Sequence, residues 1–98
     1  MNRAQVVLSP EALEDLDEIW SFLANESIEL ADRIDGGIRG AIFRLAEFPG
    51  LGHTRDDLTT LPVKFWAIYS YLIVYSVRGR AIEIARVIHG SRDVFGLL

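Results

Sequence analysis

A proline- and glycine-rich tetrapeptide at residues 49–52, Pro-Gly-Leu-Gly, divides this sequence into two parts with different hydrophobic periodicities. Because proline and glycine terminate helices, any helix that precedes this tetrapeptide is expected to end there. Before it, apolar residues recur at the three- and four-residue spacing of amphipathic helices. After it, apolar residues form short runs rich in Val, Ile, Tyr and Phe, as β-strands do. The division predicts an α+β fold in which the helices precede most of the sheet.

Two helices are predicted before the tetrapeptide, each with a serine as its N-cap. Ser9, followed by Pro10, begins the first helix, and Ser27 begins a second that runs to about Phe48. The short break near Asn25 predicts an antiparallel helical hairpin. The first helix carries an apolar stripe that we expect to face the core, made of Leu13, Leu16, Ile19, Trp20 and Leu23.

Glycines stand at two places where they need an explanation. The second predicted helix contains glycines at positions 36, 37 and 40, each of which costs about 1 kcal/mol relative to alanine inside a helix. Either the helix bends there or the glycines admit another backbone at close range. Gly50 and Gly52, at the predicted helix stop, are expected to have positive φ angles, which other residues resist.

The remaining runs predict four strands, which complete the order β-α-α-β-β-β. One short Val-rich strand precedes the first helix, and three strands follow a polar loop at residues 53–60. Residues 78–80 are expected to form a three-residue hairpin connection, with Gly79 in the left-handed conformation. The two helices would then cover one face of a mainly antiparallel four-stranded sheet. The predicted strands span residues 4–8, 62–68, 71–77 and 81–88.

Composition sets limits on the class of protein. Ninety-eight residues, half of them hydrophobic, predict one domain over residues 1–98 with a core that needs no metal or disulfide. The sequence has no cysteine and only two histidines, and it contains no nucleotide-binding or metalloprotease motif, so no cofactor or metal site is expected. No apolar run approaches membrane-spanning length, and no signal peptide is evident. We therefore expect a cytoplasmic protein that does not contact a membrane.

Charge is distributed unevenly along the chain. Residues 1–48 carry ten acids and four arginines, a net charge of −6, whereas residues 49–98 carry four acids and six basic residues, a net charge of +2. Such asymmetry suggests that the two parts meet different partners. The plainer interpretation is a solvated helix face, opposite the apolar stripe. The acids concerned are Glu11, Glu14, Asp15, Asp17 and Glu18.

A polar cluster follows the apolar run of the last predicted strand. Arg86 falls late in that strand, in register with Ile82, Ile84 and Ile88, and His89 comes just after it. Loops that follow strands are common positions for functional residues. Arg86 is either an exposed arginine, an arginine paired with an acid such as Asp93, or part of a surface that binds an anion or a partner. The cluster consists of Arg86, His89, Arg92 and Asp93.

Four segments, in the correct order, resemble the ParE-type toxins of the RelE/ParE superfamily. Residues 86–93, Arg-Val-Ile-His-Gly-Ser-Arg-Asp, are similar to the C-terminal motif of these toxins. Residues 49–58, which include Arg55, resemble the turn that follows their second helix. Residues 64–75 resemble their central hairpin, and residues 9–20 resemble their first helix. The resemblance spans nearly the whole chain and implies the same RelE/ParE-like fold.

The resemblance also implies a function, that of the toxin in a type II toxin–antitoxin system, of the kind associated with plasmid stabilisation. Such a toxin inhibits DNA gyrase by binding it, without catalytic residues or sequence-specific nucleic-acid binding, and a ParD-like antitoxin neutralises it. Trp20 and Trp66 are the expected anchors for the antitoxin, because tryptophans dominate interface hot spots. The expected target- or partner-binding residues are Arg55, Arg86, His89, Arg92 and Asp93.

Two alternatives remain open at this stage. RelE-type relatives are ribosome-dependent endoribonucleases, which need a base, an acid and cations at the scissile phosphate, and Glu83, Arg86 and His89 are candidates for those roles. A regular strand, however, would direct Glu83 away from Arg86. The other alternative is a remnant that still binds antitoxin but has lost its toxicity.

Overall fold

The computed structural model describes residues 4–91, and it confirms the predicted α+β fold. Two helices pack on one face of a four-stranded sheet, and a single 3-10 turn at Pro49–Leu51 follows the second helix. Neither helix in the described part of the chain is long and apolar enough to cross a membrane. The elements are β1 (Gln5–Leu8), α1 (Pro10–Ala24), α2 (Ile28–Glu47), β2 (Lys64–Ile68), β3 (Tyr71–Arg78) and β4 (Ala81–His89).

The sheet has the strand order β1-β4-β3-β2 and is mainly antiparallel, as predicted. β1 pairs with β4 in parallel, whereas β4, β3 and β2 form two consecutive hairpins. The connection between β3 and β4 is one residue shorter than predicted, because Arg78 belongs to β3. Gly79 has φ +59°, the left-handed conformation expected for it.

Serine caps begin both helices, as the sequence indicates. The Ser9 hydroxyl accepts the backbone N–H of Ala12, and the Ser27 hydroxyl accepts that of Leu30. The Ser9 hydroxyl also donates to the carbonyl oxygen of Ala85 at 2.7 Å. The start of α1 is therefore attached directly to β4.

The main core lies between the helices and the sheet, but the predicted stripe of α1 is partly wrong. Leu13 is 46% exposed, and the core side chains of this turn are Ala12 and Leu16, neither of which is more than 1% exposed. A smaller cluster on the opposite face of the sheet is covered by the loop before β2, through Leu58 and Val63. Its buried members are Phe65, Val74 and Ile88.

One glycine of α2, Gly37, makes room for a side chain and not for another backbone. The ring of Tyr69, at the turn between β2 and β3, lies where a Cβ atom on Gly37 would be. Gly36 and Gly40 face open space. The helix continues through all of them from Ile28 to Glu47, so these glycines do not end it.

The positive φ angles expected for Gly50 and Gly52 are wrong, since Gly79 is the only glycine with positive φ among residues 4–91. Gly52 has φ −71° and is required for a different reason, the close approach of Tyr75. The buried Tyr75 hydroxyl accepts the Gly52 N–H at 2.8 Å and donates to the Pro49 carbonyl oxygen at 2.7 Å. Burial raises the pKa of Tyr75, so the hydroxyl keeps its proton.

We expect Gly52→Ala to destabilise the protein by about 1–3 kcal/mol, because the added methyl group overlaps the Tyr75 ring in a packed core. Gly50→Ala is the matched control, since nothing lies within 4 Å of its Cβ position. Chemical denaturation of both variants measures the difference. Equal stabilities would show that the close approach of Tyr75 does not require glycine.

Candidate functional site

The candidate site is a groove between α1 and the second half of β4, which we call the α1–β4 groove. β1 pairs only with residues Ala81–Ile84 of β4, so beyond Ile84 the neighbour of β4 on this side is α1. The wall on α1 consists of Glu11, Glu14, Asp15, Glu18, Ile19 and Phe22. The side formed by the sheet consists of Tyr71, Arg86, Val87, Ile88 and His89.

A β-bulge in β4 determines which face of the sheet the residues after Ala85 occupy. Val74 of β3 pairs with Arg86, but the next residue, Tyr75, pairs with Ile84, so Ala85 is the extra residue. The prediction that Arg86 lies in register with Ile82 and Ile84 is therefore wrong. The expectation that Glu83 points away from Arg86 is also wrong. Glu83 pairs with Ser76 and Arg86 pairs with Val74. Because Ser76 and Val74 lie on the same face of β3, the side chains of Glu83 and Arg86 also share a face.

Asp15 is the partner of Arg86 and not one of the solvated acids predicted for α1. Its carboxylate accepts the Arg86 Nε–H at 2.8 Å and a second guanidinium N–H, from Nη2, at 2.9 Å. The same carboxylate accepts the backbone N–H of Val87 at 2.9 Å, and Asp15 is only 8% exposed. This bidentate contact ties α1 to the strand at the point where β1 no longer pairs with it.

The electrostatic surroundings of Arg86 are strongly acidic. Its hydrogen bonds to Asp15, and to a lesser degree the charges of Asp15, Glu11 and Glu18, raise the pKa of the guanidinium. Among the described residues that line it, the groove has four carboxylates and one arginine, a net charge of −3 when His89 is not counted. A groove of this charge attracts cationic groups and repels phosphates.

His89 lies at the far end of β4, where its ring meets Tyr71 edge to face, with 5.4 Å between the ring centroids. The Nδ1 atom of His89 accepts the backbone N–H of Ser91 at 3.2 Å. Because an amide N–H can only donate, Nδ1 is the accepting nitrogen of this contact, and Nε2 is the ring nitrogen left for other partners.

Of the other expected target- or partner-binding residues, the structure describes Arg55 alone. Arg55 is in the exposed loop before β2, where it forms a bidentate ion pair with Asp57 at 2.9 and 2.8 Å, and it does not line the groove. Arg92 and Asp93 lie outside the described residues, 4–91. Within that range, no group of three His, Asp or Glu side chains is arranged to hold a metal ion.

Both predicted antitoxin anchors are half-buried and have structural contacts of their own. The Trp20 indole N–H donates to the carboxylate of Asp32 at 2.8 Å and so connects α1 to α2. Trp66 lies on the helix-facing side of β2 and packs against the main core. Each tryptophan retains an exposed portion that a partner can reach.

Asp15 and Phe22 are two groove residues that sequence reasoning missed. Asp15 falls between Ala12 and Ile19 in the spacing of the buried face, which is the signal that could have identified it. Phe22 is 73% exposed at the end of the acidic wall, and its phenylalanine identity alone gave no sign of this position.

Comparisons with known proteins agree with this architecture. Residues 6–94 match the family model described as the ParE toxin of the type II toxin–antitoxin system parDE. A solved structure titled as the chromosomal ParDE system of P. aeruginosa contains a similar chain, with a TM-score of 0.74 and 19% identity. The match covers 91% of this chain and 98% of that one, and at this identity it shows the fold alone. A comparison with curated proteins found no match.

Proposed function

Because the chain belongs to the ParE toxin family of type II toxin–antitoxin systems, we propose that it acts in the cytoplasm by binding DNA gyrase and is neutralised by a ParD-like antitoxin. The proposal assigns the toxic effect to contacts with the target and not to bond breaking by the protein itself. Its proposed interaction surfaces are the α1–β4 groove, the exposed residues His89, Gly90 and Ser91 at the end of β4, and, from the sequence, Arg92 and Asp93.

The observation that carries this proposal is the charge of the α1–β4 groove. An RNA-cleaving site needs cations that stabilise the phosphorane and a base that accepts the 2′-hydroxyl proton. Here the guanidinium of Arg86 is held by Asp15, and the wall beside it is acidic. Such a surface opposes the approach of a phosphate backbone, whereas a protein partner with basic side chains fits it.

Induced expression, followed by parallel gyrase and translation assays, tests the proposal. We expect growth arrest with gyrase-dependent DNA damage, intact mRNA, and recovery when the reading frame adjacent to the toxin gene is coexpressed. Codon-positioned mRNA cleavage would instead support a RelE-type endoribonuclease. A folded protein that binds the neighbouring gene product but does not arrest growth would identify a non-toxic remnant.

We expect Trp20→Ala to weaken antitoxin binding by about 2 kcal/mol, or roughly thirtyfold in Kd, if Trp20 is an interface anchor. Asp32→Ala is the matched control, because it removes the internal hydrogen bond of Trp20 and leaves the indole in place. Trp66→Ala tests the second anchor, with thermal unfolding as its check because Trp66 also packs on the core. Unchanged Kd in a folded Trp20→Ala variant would exclude the anchor role.

A further inference from the structure

We propose that the open edge of β4 in the α1–β4 groove binds an extended, cationic segment of the antitoxin as an additional strand. This inference rests on the proposed function, since it specifies the partner segment and the way it binds. The segment would continue the outer edge of the sheet from the point where β1 ends at Leu8.

The main chain of β4 supplies the first part of the argument. Val87 directs its N–H towards α1, where Asp15 accepts it, and Gly90 directs its N–H towards β3, where the Ser70 carbonyl accepts it. Because the backbone N–H and C=O groups of successive strand residues point to alternate edges, the Val87 carbonyl and the N–H and carbonyl groups of His89 point towards α1. These groups form a short strand edge that can pair with another chain.

Within residues 4–91, hydrogen bonds are recorded along this edge only as far as the Val87 N–H. The carbonyl oxygen of Ile84 accepts the Ser9 N–H, and that of Ala85 accepts the Ser9 hydroxyl. Asp15 then takes the Val87 N–H, and among the described residues no strand pairs with β4 on this side after Ile84. A segment entering beyond Asp15 would therefore find donors and acceptors in the order that strand pairing requires.

Charge complementarity identifies the chemistry of the occupant. Glu14 and Glu18 are exposed and line the groove on the α1 side, and the lining residues within 4–91 carry a net charge of −3. Side chains alternate along a strand, so every second residue of the added segment would face this wall. We expect lysine or arginine at those positions.

The far end of the groove accepts an apolar side chain. Ile19 and Phe22, one helical turn apart, lie on the wall beyond the acids, and Phe22 is 73% exposed. The ring of Tyr71 borders the same end, beside His89. An aliphatic or aromatic residue of the added segment would bury this surface and fix the register of the pairing.

The test makes the same change of charge at two exposed acids of α1, one that lines the groove and one that does not. Glu14→Lys places a cation in the groove, whereas Asp17→Lys makes the same change on a residue that does not line it. We expect Glu14→Lys to raise the Kd of the full-length toxin for the purified antitoxin about tenfold at low salt, mainly through slower association, and Asp17→Lys to change it much less. Hydrogen exchange of the complex should also show slower exchange at the His89 amide.

The outcomes separate this inference from the proposed function. Absence of any complex with the antitoxin would contradict the proposed function itself. A complex whose Kd responds equally to Glu14→Lys and Asp17→Lys, with unchanged exchange at His89, would overturn the strand pairing alone. A His89 amide that is already protected in the free full-length toxin would overturn it as well, because the edge would then be occupied by the chain itself.

Discussion

Asp15→Ala is expected to lower the free energy of unfolding by about 3 kcal/mol or more, whereas the same substitution at an exposed acid of α1 is expected to change it little. The substitution removes the bidentate partner of Arg86 and the acceptor of the Val87 N–H in one step. Removing one member of a largely buried pair takes away hydrogen bonds that offset the desolvation of the other charge, which typically costs more than the pair itself contributes. The Val87 amide adds the cost of an unsatisfied buried donor, about 1–3 kcal/mol.

Chemical denaturation of Asp15→Ala, with Asp17→Ala as the matched control, measures this effect. Asp17 is exposed, so its removal should change stability by no more than about 0.5 kcal/mol. Asp15→Asn should fall between them, because the amide oxygen can still accept one N–H. If Asp15→Ala and Asp17→Ala were equally stable, the attachment of α1 to β4 would have to depend on other contacts, such as the Ser9 hydroxyl.

This structural role changes how variants of Arg86 must be interpreted. A loss of toxicity in Arg86→Ala can follow from a weakened α1–β4 contact as well as from a lost contact with the target. Asp15→Ala distinguishes the two, because it breaks the same ion pair and leaves the guanidinium in place. Toxicity lost in Arg86→Ala but retained in a folded Asp15→Ala protein would assign Arg86 to target binding.

Local signals in the sequence predicted most of the fold. Ser9 and Ser27 act through their own hydroxyls on backbone groups three residues away, so their caps depend little on the rest of the protein. Gly79 is likewise constrained by its own turn. Leu13 was assigned wrongly because periodicity identifies a helical face only to within about one residue, and the small, fully buried Ala12 takes the core-facing position beside it.

The candidate site was harder to predict because long-range contacts form it. The bulge at Ala85 has no sequence signal of its own, yet it decides which way Arg86 faces. Asp15 and Arg86 are separated by 71 positions in the chain, and the spacing that places Asp15 on the buried face of α1 does not identify its partner. Gly52 shows the same limitation, since its glycine serves Tyr75, a residue on a strand that comes later in the sequence.

The binding and catalytic hypotheses predict very different activities for His89→Gln. An endoribonuclease that uses His89 as acid or base would lose about 100-fold or more in cleavage rate, because glutamine cannot exchange a proton. A toxin that acts by binding gyrase should keep most of its toxicity, since glutamine can still accept the Ser91 N–H and donate from its amide. Growth arrest and gyrase cleavage assays on matched expression levels measure the difference.

Arg92→Ala is the comparison variant, and its position lies outside the described residues. We expect it to reduce toxicity more than His89→Gln does, because loss of a charge-assisted contact typically costs about 1.5–3 kcal/mol, or roughly tenfold to a hundredfold in affinity. Thermal unfolding of both variants excludes a loss caused by instability. Rapid mRNA cleavage that disappears in a stable His89→Gln protein would contradict the gyrase proposal and establish His89 as a catalytic residue of a nuclease.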